Sequence, residues 1–418
     1  MGNTQLPFKP MDAYHVTGKR VLLRIDINSP IDPETRKIVN TNRIDKSLPT
    51  IAHLLDAGAQ VAIIAHQGDT LDYHNLIPLE EHARILTQKL GRPVTYIDDV
   101  CGPAACDAVK ALTDGEAIIL GNLRYLTEEV STFEQAVKLS PSDMTNTYLV
   151  RRLAPLFDLY VNDAFAAAHR NAPSMTGFQE VLPSAAGPLL FREVEALTHV
   201  MQSPDRPCVF VLGGAKISDA FSMLNEVLSS HTADRVLTCG VTGEVFLIAA
   251  GYDLGTEVDR FLSDRSLKEF IAPAKRYLQE YPDQILMPSD LAYRSRGKRT
   301  EAALEQLPLH ELFLDIGEKT IARYREEILS AGTVCVNGPA GLFEDPEFSA
   351  GTRDLWQAIQ DAPGYTVIGG GDTVNAAHAF TDPAQISYIC TAGGAMVRFL
   401  SGIRLPLIEA MERSGRKS

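Results

Sequence analysis

The stretch Pro207–Leu228, PCVFVLGGAKISDAFSMLNEVL, restricts what this chain can fold into more than any other. Cys208–Leu212 is a short, unbroken apolar run, the composition of a strand covered on both faces of a parallel sheet. The turn Gly213-Gly214-Ala215-Lys216 follows at once, and Ile217, Phe221, Met223, Leu224 and Leu228 then recur at helical spacing. A strand, a glycine turn and a helix in that order leave backbone N–H groups and a positive helix end where an anion can sit. Lys216 adds a full positive charge beside them. The motif is neither GxGxxG nor GxxxxGK[ST], so neither standard nucleotide fingerprint applies, and a plain structural turn would look the same.

The rest of the chain extends this alternation. At 418 residues it exceeds the size at which one core usually splits, so two domains are expected. Strand-like runs at 19–26, 60–65, 94–97, 117–120 and 159–161 alternate with helical segments, among them 44–57 and 79–89. A long Leu- and Ala-rich helical pattern covers 182–201 and ends at the composition break SPDRP. The second half repeats the scheme with VFVL, RVLTCG at 235–240, then 284–287, 333–336 and 365–368. These patterns predict an α/β protein of two doubly wound parallel-sheet domains joined by a long helix. The divisions fall at 1–182, 183–202 for the connecting helix, 203–398, and a tail at 399–418 that packs back on the first domain. Within that tail, 411–418 is polar and reads as frayed.

A net charge of −14 argues against nucleic acid or an anionic membrane as a partner. No run is long and apolar enough to span a bilayer, and the first residues lack a signal-type apolar segment, so a cytoplasmic protein is expected. The six cysteines are scattered without a CxxC pair, which favours reduced, buried thiols over disulfides or zinc.

Chemistry collects just past the strands, on the edge where open α/β sheets bind ligands. In the first half Arg24, Asp26 and Asn28 alternate along RIDIN and share a face, Arg43 precedes a helix, and His66 ends QVAIIAH. Arg124 ends IILGNLR, and Asn162, Asp163, His169 and Arg170 lie in VNDAFAAAHR. Guanidinium groups hold carboxylates and phosphates bidentately, so this half predicts a small anionic substrate. In the second half three more glycine turns follow strands: Asn337-Gly338-Pro339, running on to Glu344; Gly369-Gly370-Gly371-Asp372-Thr373; and Thr391-Ala392-Gly393-Gly394. They suit a phosphate tail, with Asp372 as a hard oxygen ligand for Mg²⁺. An anion site on one half and a nucleotide site on the other imply phosphoryl transfer by domain closure. No general base stands out, and a carboxylate acceptor, already ionised at pH 7, needs none.

In order along the chain, KRVLLRIDINSPID, NTNRI, GNLRY, VNDAFAAAHR, VFVLGGAKISD, VNGPAGLFE, VIGGGDTV and TAGGA resemble the motifs of the phosphoglycerate kinase family from about residue 17 to 410. AHQG and DDVCGPAA are closer to its archaeal branch. The resemblance implies that the first half binds 3-phosphoglycerate and the second Mg-ATP or ADP. Asp26, Asn28, Arg43, His66, Arg124 and Arg170 would then face the acid. Gly213, Gly214, Ala215, Lys216, Gly240, Asn337, Pro339, Glu344, Gly370, Gly371, Asp372 and Thr373 would face the nucleotide, with Asp372 on the magnesium. Arg43, Lys216, Gly393 and Gly394 would attend the moving phosphoryl group. A monomer is the family expectation.

Two positions depart from the family pattern. Where the family has HLGRP, this chain has HQGDT, so Asp69 replaces an arginine of the phosphate site. A charge reversal beside a phosphate is worth several kcal/mol at an effective dielectric near 20. It opens a second reading, an acyl-phosphate-forming kinase for a different small acid, unless the loop turns Asp69 to solvent. Ala220 stands where many members carry a second lysine. A silent ATP-binding homologue is the third reading, disfavoured because the glycine turns, Lys216, Glu344 and Asp372 are retained.

Overall fold

The computed structural model describes residues 6–68 and 75–417, in two compact units. Unit 1 holds the chain up to Glu195 and again from Arg404; unit 2 is Ala196–Ile403. Each is built on its own six-stranded parallel sheet.

In unit 1 the strands are β1 (Arg20–Arg24), β2 (Gln60–Ile64), β3 (Val94–Tyr96), β4 (Ala117–Ile119), β5 (Leu159–Asn162) and β6 (Ser184–Ala186). Their order is β3-β4-β2-β1-β5-β6. Side chains alternate across the sheet, and both faces are covered. Val21, Leu23, Val61 and Ile63 enter one core, while Leu22, Ala62, Ile64 and Ile118 enter the other. The helix Asn42–Asp56 lays Ile44, Ile51, Leu54 and Leu55 on the first core, each fully or almost fully buried. Each such side chain stabilises the fold by about 1.5–3 kcal/mol. Chain order runs from β1 to β2 on one side, whereas β5 pairs with β1 on the other. The carboxyl ends of β1 and β5 therefore flank the crevice that such a reversal opens.

Two expectations are corrected here. Residues 182–201 are not one helix: Ser184–Ala186 pairs with Tyr160–Asn162 as an edge strand, and the helix runs Pro188–Gln202. Gly187 makes the turn between them, because a Cβ there would meet the Asp163 carboxyl at 2.4 Å. The tail is not frayed over 411–417 either, residue 418 lying outside the described residues. Pro406–Lys417 is a helix that buries Leu407, Ala410 and Met411 against β6 and the short helices Pro173–Thr176 and Phe178–Glu180 of unit 1. Its polar residues form the outer stripe of an amphipathic helix, which composition alone does not distinguish from a polar coil.

Unit 2 contains β7 (Cys208–Leu212), β8 (Arg235–Thr238), β9 (Ile285–Leu286), β10 (Asp290–Ser295), β11 (Lys298–Ala303), β12 (Phe313–Ile316), β13 (Thr333–Asn337), β14 (Tyr365–Gly369) and β15 (Tyr388–Ile389). Its parallel sheet has the order β15-β14-β13-β7-β8-β9, with the reversal between β7 and β13. A second, antiparallel sheet, β11-β10-β12, has no counterpart in the expected pattern. Its hairpin turns through two residues, Arg296 and Gly297, with φ of 50° and 79°, a pairing that matches the twist of the strands. All six cysteine thiols are buried, and no disulfide forms among the described residues. Among these residues no helix is long and apolar enough to cross a membrane.

Candidate active site

The crevice of unit 1 gathers cations around a histidine. Arg24, at the end of β1, is 2 % exposed and sends Nη2 to the His66 Nδ1, 2.8 Å away. A guanidinium can only donate, so Nδ1 is the acceptor and the ring proton sits on Nε2. Burial first, then the charges of Arg24, Arg124, Arg170 and Arg43, hold the His66 pKa well below its usual value. Four guanidinium groups thus act on one neutral ring. Burial disfavours charge of either sign, so it is the four guanidinium charges that make this crevice favourable to an anion.

Arg43 is half-exposed and pairs with the buried Asp26 at 2.5 Å. The other Asp26 oxygen accepts from the Asn28 N–H at 3.0 Å, and Asn28 Oδ1 accepts from the Gly68 N–H at 2.9 Å. Asp26 therefore fixes Arg43 and the start of the loop together. Arg124 donates to the Glu129 carbonyl at 2.6 Å. Arg170 donates to the same carbonyl and forms a 3.0 Å ion pair with Glu134. The Glu129 carboxylate is turned away, held by the Ser174 N–H and hydroxyl at 2.6 and 2.7 Å. All six acid-facing candidates lie in unit 1, five in segments that follow strands and Arg43 in the first turn of the helix Asn42–Asp56. Asp69 lies outside the described residues.

In unit 2 the turns after β7, β8, β13 and β14 press backbone on backbone. A Cβ on Gly338 would meet the Gly213 carbonyl oxygen at 2.1 Å, and one on Gly213 would meet the Pro339 carbonyl oxygen at 2.3 Å. Gly214, Gly240, Gly338 and Gly370 all have positive φ, which only glycine adopts without strain. The N–H groups of Gly213, Gly214 and Gly240 are not free, contrary to expectation: they donate to the carbonyls of Asn337, Pro339 and Ala340 at 2.9, 2.8 and 3.0 Å. The amides of Ala215 and Lys216 have no partner among the described residues, and Lys216 caps the helix Ile217–Ser229. The Thr373 hydroxyl accepts from the Gly338 N–H at 2.8 Å and so ties two turns together. Asn337 Nδ2 reaches the Gly369 carbonyl at 3.1 Å.

These turns line a polar cavity of about 190 Å³ that includes Lys216, Asp372 and the helix starts at Gly371 and Gly393-Gly394. It adjoins an apolar slot of about 280 Å³ that shares Gly214, Ala215, Pro339 and Asp372, with Gly240 and Glu344 also on its wall. Phe261, Leu291, Phe313 and Leu342 supply flat apolar surface there. Every nucleotide-facing candidate therefore lines one or other of two adjoining cavities. Asp372 is exposed, with no ion pair among the described residues. No cluster of three His, Cys, Asp or Glu able to hold a metal occurs among them. One free carboxylate beside a phosphate-sized cavity fits a magnesium ion that keeps most of its ligands as water and phosphate oxygens.

The sequence singles out Arg24 with Asp26 and Asn28 but does not place it among the acid-facing residues, and it does not single out Glu244 at all. Arg24 was visible as a charge inside the apolar run VLLRI, where a bare arginine calls for a buried partner. Glu244 was visible as one carboxylate in an otherwise apolar helix, Gly240–Ala249. It is 6 % exposed and lines the apolar slot.

A sequence model described as Phosphoglycerate kinase matches residues 11–403. The phosphoglycerate kinase of Methanothermobacter thermautotrophicus is 41% identical over 407 residues, 97% of each chain. That of Thermococcus kodakarensis is 40% identical over 95% of each. Among solved structures, the phosphoglycerate kinase of Pyrococcus horikoshii OT3 superposes with a TM-score of 0.86 at 36% identity, covering 98% of this chain and all of its own. The enzyme from Coxiella burnetii gives 0.83 at 33%.

Proposed function

The chain belongs to the phosphoglycerate kinase family, and on that premise we propose that it transfers a phosphoryl group between ATP and the carboxylate of 3-phosphoglycerate. The observation that carries the reading is the convergence of Arg24, Arg43, Arg124 and Arg170 on a neutral His66 at the carboxyl edge of β1 and β2. Arg124 and Arg170 hold the substrate's phosphate, Arg43 its carboxylate, and Asp26 with Asn28 its hydroxyl. The His66 Nε2–H is a donor to anionic oxygen that brings no charge to lose. Because Arg170 is paired with Glu134, the substrate's phosphate competes with that carboxylate for the guanidinium.

In unit 2 the apolar slot takes the base and Glu344 the ribose, while the polar cavity takes the phosphates. The Ala215 and Lys216 amides and the Lys216 ammonium receive phosphate oxygens. Magnesium bound through Asp372 would neutralise part of the charge shared by the nucleotide phosphates. Gly393 and Gly394 offer the N–H groups of a helix start to the transferring group. Catalysis is then alignment and charge neutralisation, with closure over both substrates to exclude water. The reading places the enzyme in the cytoplasm as a monomer.

A coupled assay of ADP formation with Mg-ATP, comparing 3-phosphoglycerate with other small hydroxy acids, tests it. Robust turnover on 3-phosphoglycerate is expected. ADP release on another acid alone would assign the site to a different acceptor, as Asp69 suggests. Silence on every acid despite ATP binding would leave a binding protein.

A further inference from the structure

One group in the nucleotide slot is left without employment by the scheme above. Glu244 stands one turn into the helix Gly240–Ala249, at the slot's wall beside Val241, Phe261, Leu314 and Ala340. Its side chain has no hydrogen bond or ion pair among the described residues, although it is more than nine-tenths buried. An unpaired carboxyl in such a place costs folding energy, so it calls for a ligand that satisfies it. A purine fills a flat apolar slot of this size, and its polar edge is what an apolar wall cannot recognise.

We propose that Glu244 is the base-reading residue of this site, pairing as an uncharged carboxyl with the adenine edge that carries an amine donor beside a ring-nitrogen acceptor. The inference rests on the nucleotide reading of unit 2. The carbonyl oxygen accepts from the exocyclic amine, and the hydroxyl donates to the ring nitrogen, so both polar atoms of each partner are used. Burial alone pushes this carboxyl up to about 8, which keeps its proton in place at neutral pH. A carboxylate would offer two acceptors instead. It would match guanine, whose N1–H and N2 amine are adjacent donors, and reject adenine. The protonation state therefore decides which purine the slot takes.

The test is calorimetric titration of the full-length protein at pH 7 with ADP, GDP and purine riboside 5′-diphosphate, which lacks the amine. The wild type should prefer ADP to the amine-free analogue by about tenfold or more, the worth of one to two neutral hydrogen bonds. Glu244→Gln presents the same acceptor and donor and should keep that preference. Glu244→Leu should bind both nucleotides alike and melt no lower than the wild type, because it removes a buried unpaired group. A preference that survives in Glu244→Leu would overturn the assignment, as would GDP outcompeting ADP in the wild type and losing that advantage in Glu244→Gln. If the wild type binds no nucleotide at all, the reading of unit 2 fails, and the inference with it; if ADP binds but Glu244 is indifferent, the inference alone fails.

Discussion

His66 and His82 show how burial assigns different work to one residue type. His66 is kept neutral beside four guanidinium groups, where it can serve an anion. His82 is fully buried against Gln67, its Nε2 3.1 Å from Oε1, and burial holds its pKa at about 4. The unfolded histidine titrates near 6.5, so between those values the unfolded chain binds the extra proton. Stability from this group is complete above pH 6.5 and is lost as the pH falls toward 4. We expect about 2 kcal/mol of the decline in unfolding free energy between pH 7 and pH 5 to vanish in His82→Gln, measured by urea titration at both pH values. An equal decline in both proteins would mean that His82 is not the responsible group. Lys216 is exposed and makes no ion pair among the described residues, so it does little for the fold, and the proposed function gives it a ligand to act on. Lys216→Ala should therefore leave the melting temperature unchanged and lower turnover at least a hundredfold, the usual cost of one transition-state donor. Near-normal turnover would remove Lys216 from the mechanism.

At the scale of elements, the glycine turns divide into those that glycine must build and those that glycine merely leaves open. Gly338 has φ of 91° and no room for a Cβ beside the Gly213 carbonyl. Gly338→Ala should cost about 3 kcal/mol or more of stability. Gly394 faces open space. Gly394→Ala should fold with an unchanged melting temperature yet lose about 10- to 100-fold in kcat, because a methyl group would displace the transferring phosphoryl group. Calorimetry and steady-state kinetics on the pair separate the two cases, and parallel behaviour of both variants would refute the distinction. This division also explains what the sequence made legible. Buried strands such as β7 announce themselves as apolar runs, and the glycine turns that follow them line the candidate site. The edge strand Ser184–Ala186 is too short and small-sided to differ from a helix start. The ribbon 290–303 reads RSRGKRTE at its tip, with little alternation, because neither face of the tip is buried. Nor could residue spacing tell that the Gly213 and Gly214 amides are spent on neighbouring carbonyls. That pairing depends on β13, more than a hundred residues away in the chain.

At the scale of the molecule, unit 1 is discontinuous: the chain leaves it after Glu195 and re-enters it at Arg404. The returning helix Pro406–Lys417 is part of its core, with Met411 fully buried and its sulfur 3.7 Å from Gln179 Nε2. Leu407 N–H donates to the Ala168 carbonyl, two residues before Arg170. Met411→Ala should destabilise the protein by about 2–5 kcal/mol. Hydrogen exchange should place the loss in unit 1, with the β7 and β13 amides of unit 2 still protected; uniform deprotection of both would show that the helix stabilises the molecule as a whole. The same connectivity sets an order of events at the ribosome. The strands of unit 1 emerge first, but the helix that seals them is translated only after all of unit 2. The nascent first half must therefore wait with the Met411 pocket uncovered while a second, uninterrupted unit completes itself, so the segment made first is the one finished last.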